Sequence, residues 1–257
     1  MRRLYLFLLL TMLLCIGCEW RLGNSVEEPE GLVAVNRYDR IQSLYLTTGD
    51  VSALQQMNTE YPQQTRTLIE NVLHIGKVND PQINTRFLSF YQDTTLQTVI
   101  AETQRQYADM TDINKQLSDA FENLLKLLPN LCIPEVYAQI GSFDQSIVVS
   151  GSSLGVSLDK YLGTDYPFYR DHYSESDRAL MKRDMIVPDC LVFYLLSLYP
   201  LPKDLQQEEH DIHIGRILYV VNHLMQRQVF KTEYVDKAAA YMHKHPNTSL
   251  TELLQDR

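Results

Sequence analysis

Apolar residues recur at helical spacing through the first half of the chain and change to alternation near its middle. Leu54, Met57 and Tyr61 share one face, and Leu68, Val72 and Ile75 follow, with Pro62 and Gly76 as punctuation. Asn79-Asp80-Pro81 interrupts the pattern, and Ile83, Phe87, Phe90 and Tyr91 begin a second stripe. Asp93-Thr94-Thr95 reads as a cap for a helix over 96–107. Thr111-Asp112 opens another helix, which carries Ile113, Leu117, Phe121, Leu124, Leu125 and Leu128 up to Pro129. Stripes of this kind face a core far more often than a cofactor. Before them, Val33 to Tyr38 alternates briefly, which predicts a short first strand and then a helix over 40–45.

The pattern changes at Pro134. Residues 136–140, 146–149 and 154–158 read as three short strands, with Gly141 and Ser150-Gly151-Ser152-Ser153 as turns. Consecutive strands with glycine turns predict a small antiparallel meander. A tyrosine-rich loop follows. Helices are then expected from about Ser176, over 189–198 (ended by Pro200-Leu201-Pro202), over about 205–225 and over 233–243, with a terminal turn from Asn247. Helices, then strands, then helices predict an α+β fold, mostly helical, in one domain over 32–257. Its helical part spans about 52–128 and its strand-and-helix part about 134–257.

The N-terminus changes the picture from fold to location. Arg2-Arg3 precedes an almost unbroken apolar run from Leu4 to Leu14, which is too short for a stable membrane span, and Cys15-Ile16-Gly17-Cys18 follows. Residues 1–17 read as a lipoprotein signal peptide and Cys18 as the acylated first residue of the mature chain. Several acyl chains together make a lasting anchor. Residues 18–31, with the acidic stretch GNSVEEPEG at their end, read as a flexible tether. Ordinary secretion with cleavage near Gly17 is the alternative.

Charge and cysteines narrow the partners. The net charge is −9, and −11 once Arg2 and Arg3 leave with the signal. That balance argues against nucleic acid and against electrostatic attraction to anionic lipid, so membrane association must come from the lipid itself. Of the four cysteines, Cys132 and Cys190 remain. An oxidising envelope permits a disulfide between them, but buried free thiols are the preferred reading. No cofactor is called for.

Candidate chemistry is sparse. The densest segment is Asp159-Lys160-Tyr161-Leu162-Gly163-Thr164-Asp165-Tyr166-Pro167-Phe168-Tyr169, directly after a strand. A binding loop has this composition. So does a structural or docking loop whose tyrosines bury their rings and whose Asp165 caps a turn. His210 and His213, beside Glu208, Glu209 and Asp211, have helical spacing for a cation but read as solvated surface, and no metal site is expected. HExxH, Walker and dinucleotide-binding patterns are absent, and no strand-to-helix elbow around a serine is evident.

The segments SLGVSLDKYLGTDYPFY (153–169) and MIVPDCLVFYLLSLYP (185–200) resemble the gliding-motility-associated lipoprotein B family of the Bacteroidota. HIGRILYVV (213–221), with Gly215-Arg216, resembles that family's later glycine-basic helix, and Arg37-Tyr38-Asp39 its opening strand. The closing Trp- and Asn-Glu-rich helix of the family has no counterpart in residues 231–257, as in a divergent, non-gliding branch. The resemblance implies a lipid-anchored envelope protein that binds partners to support a motility or type IX secretion-like machine. Membrane contact would run through the N-terminal lipid, and Glu19-Trp20-Arg21, which lacks an acidic export run, favours a periplasm-facing anchor. The strands followed by a helix also resemble a degenerate zincin-like core, with Val187-Pro188-Asp189-Cys190-Leu191 where HExxH would stand. The alternative function is therefore a cryptic hydrolase using Asp159, Asp165, Asp189 and His172.

Overall fold

The structure is a computed structural model and describes residues 31–201 and 206–255. The signal peptide, Cys18, nearly all of the tether and the Leu205 start of the penultimate expected helix lie outside the described residues.

Helices come first, and their caps explain their ends. α1 (Tyr38–Thr48) closes on Gly49, whose φ of +70° is the left-handed conformation that a helix C-terminus favours. α2 (Val51–Thr59) starts at Asp50, whose carboxylate accepts from Ser52 and Ala53 N–H. α3 (Pro62–Thr67) begins on proline and runs into a π-turn, Leu68–Val72. α4 spans Ile83–Tyr91. α5 (Thr94–Gln106) is capped by Asp93, as the Asp-Thr-Thr signal predicts. α6 (Thr111–Leu127) is the strongly amphipathic helix expected before Pro129.

Three strands follow: β1 (Glu135–Gln139), β2 (Ile147–Ser150) and β3 (Ser153–Ser157). The expected antiparallel meander is corrected here. The order is β1-β3-β2, with β1 and β3 parallel and β2 and β3 antiparallel. Residues 140–146 make no hairpin, because Gln42, Tyr91 and Asp159 bind their backbone, so β2 lands one strand further on and the 151–152 turn folds β3 into the gap. The expected first strand shrinks to one parallel bridge, Asn36 to Tyr137 at the outer edge of β1, and α1 starts two residues earlier than expected. Gly155 sits in the central strand because the Tyr137 ring lies across it; a Cβ there would come within 2.6 Å of that ring.

The second half of the chain covers the sheet. A 3-10 turn (Leu158–Lys160) and α7 (Pro167–His172) occupy the tyrosine-rich stretch that the sequence reads as loop, and the helix expected from about Ser176 is α8 (Glu175–Arg178), four residues long. α9 (Ile186–Leu198) begins three residues before the expected start, since a proline in the first turn gives up only an N–H that has no helical partner. It packs on β2, β3, α6 and α10 (Gln207–Leu224). α11 (Glu233–Lys244) lies against α10, and α12 (Leu250–Gln255) closes the chain. Consecutive residues of β1 and β3 are buried, as expected for strands covered on both faces. Residues from Gly31 onward form one compact α+β unit. Among the described residues no helix is long and apolar enough to cross a membrane. Cys132 and Cys190 are both free; Cys190 is buried as expected, but Cys132 is exposed.

Candidate functional site

The parallel pairing of β1 and β3 brings the loops that leave both strands to one end of the sheet. There the candidate loop meets residues 140–143. Asp159, fully buried in the 3-10 turn, accepts from Gly141 N–H at 2.6 Å and Phe143 N–H at 2.8 Å. Phe143 holds a φ of +66°, rare for a non-glycine residue, and its carbonyl accepts from Lys160 Nζ at 2.9 Å and the Tyr173 hydroxyl at 2.8 Å. The ammonium of Lys160 also lies 4.4 Å from the centre of the Tyr173 ring. Gln42 of α1 clamps Ile140 at both backbone groups, at 2.9 and 2.7 Å, and the Tyr91 hydroxyl reaches the carbonyls of Ile140 and Gly141.

The rest of the candidate loop is held from its own side. Tyr169, fully buried, donates to the Asp159 carbonyl and accepts from Leu162 N–H at 3.1 Å. Tyr107, at the C-cap of α5, donates to the Tyr161 carbonyl at 2.6 Å. Tyr161 in turn donates to the Asp189 carboxylate at 2.8 Å. Gly163, at φ +116°, donates its N–H to the Met181 carbonyl. Phe143, Phe168 and His172 form a three-ring stack with centroid spacings of 4.0 and 4.1 Å. Tyr166 is half-buried and meets Tyr169 edge-on. Asp165 departs from the turn-capping expectation: it is exposed and pairs with Arg170 at 3.1 Å.

Burial sets the electrostatics. It raises the Asp159 carboxyl above the usual carboxylate range, opposed by the two amides that bind it. It lowers the Lys160 ammonium, against the attraction of Asp159. Burial also pushes Asp189 up to about 7, with the Tyr161 hydroxyl pulling the other way.

The acids and the histidine named for a hydrolase do not share one set of partners. Asp159 is bound to amides, Asp165 to Arg170 and Asp189 to Tyr161, while His172 Nδ1 lies 2.9 Å from the Phe168 carbonyl oxygen. In the zincin-like comparison, Val187, Pro188, Cys190 and Leu191 are core residues of α9. His210 lies beside Asp211, whereas His213 contacts the Tyr199 carbonyl. Among the described residues no three His, Cys, Asp or Glu side chains are grouped to hold a metal.

A family model described as gliding motility protein GldB matches residues 21–235. The chain belongs to this family. The match covers the whole candidate loop, its clamps and Gly215-Arg216, and it stops just inside α11. No curated protein and no solved structure matches the chain. GldB membership supports the lipoprotein and gliding-motility readings, with a membrane-anchored protein of the cell envelope as the setting.

Sequence reasoning missed Gln42, Tyr91, Tyr107, Phe143 and Tyr173. Nothing local marks Gln42 or Phe143, since their roles exist only once distant elements meet. Pro167 after Tyr166 was a usable signal for α7, because proline favours the first helical position.

Proposed function

We propose that this GldB-family protein is a non-enzymatic lipoprotein, anchored through Cys18 and facing the periplasm, which supports a gliding or type IX secretion-like machine by binding envelope partners. The observation that carries this reading is the use of Asp159. One of its oxygens binds the backbone amide of Gly141 and the other that of Phe143, so the candidate loop acts as a keystone joining two loops. Its neighbours Lys160 and Tyr169 do the same work, which leaves α7 and the exposed Asp165 as the docking face that the keystone positions.

Cys18→Ala is expected to move the protein from the membrane to the soluble fraction; unchanged sedimentation with membranes rejects the anchor. In-cell crosslinking of the tagged, lipidated protein is expected to recover motility or secretion components. Recovery of nothing specific, together with stoichiometric metal in the purified protein, would favour the hydrolase instead.

A further inference from the structure

Residues 31–35 run antiparallel to α6. Val35 N–H binds the Asn114 side chain at 3.0 Å, Val33 N–H binds Ser118 Oγ at 3.1 Å, and Gly31 also lies against Ser118. Followed upstream from Val35 to Val33, the chain moves toward the Leu127 end of α6. A mainly apolar cleft of about 440 Å³ opens at that end, walled by residues 127–131 together with Leu198, Tyr199 and Thr251; Asn130 and Thr251 are its polar members and no charged side chain lines it. Leu198 is 38 % exposed, and Leu32, beside the exit of the chain, is 45 % exposed.

We propose that this leucine-tyrosine face rests on the bilayer that holds the anchor, with hydrocarbon and headgroup boundary as its occupant. The proposal rests on lipidation at Cys18. From Cys18 to Gly31 there are thirteen residues, which at full stretch reach ~45 Å, so the fold stays within a few nanometres of the membrane. Ser118 lies midway along α6 and nine residues, ~14 Å, from Leu127, a separation well within the reach of the thirteen residues that lead to Cys18. The chemistry also favours lipid. The chain is acidic overall, which argues against electrostatic attraction to anionic lipid, and leucine with tyrosine is a composition that settles at an interface.

Cys132 supplies a native reporter, being exposed and adjacent to Leu131, while Cys190 is buried. The full lipidated chain, labelled at Cys132 with an environment-sensitive fluorophore, is placed in phosphatidylethanolamine–phosphatidylglycerol vesicles containing spin-labelled lipid. Emission is expected to fall about twofold, as for a probe at the interface. A probe at Asp171→Cys in α7, in a Cys132→Ser background, should not respond. Leu131→Glu with Leu198→Glu should abolish the quenching while the protein still sediments with vesicles. A wild-type protein that sediments with Cys132 unquenched overturns the resting face and leaves the anchor standing. Failure to sediment overturns the anchor, and the face with it. Shielding of Cys132 only when envelope proteins are added identifies a protein occupant and also overturns the proposal.

Discussion

Two aspartates six residues apart show how little residue type alone determines. Asp159 is fully buried and binds two backbone amides, whereas Asp165 pairs with Arg170 in solvent. Asp159→Ala leaves both amides buried and unbound, so it is expected to lower stability by about 3 kcal/mol, while Asp165→Asn should change it by less than about 0.5 kcal/mol. Urea unfolding midpoints of the two variants test the contrast; equal midpoints reject the keystone. Asp189 adds a pH dependence. Its folded pKa of about 7 lies above the unfolded value of about 3.9, so the folded state holds the proton more tightly. The stability this contributes is complete below pH ~4 and is lost as pH rises toward 7, on the order of 4 kcal/mol at most. Burial of Asp159 acts in the same direction. Asp189→Asn should therefore gain stability over wild type at pH 8 and differ little near pH 4, with parallel unfolding curves at both pH values counting against the assignment.

At the scale of elements, the start of α5 was legible from its Asp93 cap, because the signal and the helix share the same few residues, and α6 opens at Thr111 as expected although Met110 at its N-cap makes no side-chain bond. Strand order was not. Alternation in 136–140, 146–149 and 154–158 fixes that strands exist, but their sequence of adjacency depends on Gln42, Tyr91 and Asp159 reaching residues 140–143 from far along the chain. The candidate loop was legible as a dense segment and its clamps were not, for the same reason. Gly215 is a further case. It marks the point where α10 meets α11, and a Cβ there would come within 2.5 Å of Tyr234 Cβ and 2.7 Å of its backbone. Gly215→Ala must push the two helices apart. A loss of about 2 kcal/mol is expected, with faster amide exchange confined to α10, α11 and α12, and unchanged exchange there would show that the contact is soft.

For the whole molecule, the organising fact is that segments distant in sequence converge on residues 135–143. The Asn36 bridge, α1, α4 and the 3-10 turn all bind that short stretch. The junction between the upstream chain and the fold has a mechanical consequence. Tension applied upstream of Gly31 runs along residues 31–36, where Val33 is bonded through both backbone groups to Ser118, Val35 to Asn114, and Asn36 to Val136 and Ala138. Because Asn36 lies parallel to β1, these bonds are loaded side by side rather than opened one after another. A steady pull is thus passed into α6 and the sheet together, and the fold takes up the load as a stiff coupling.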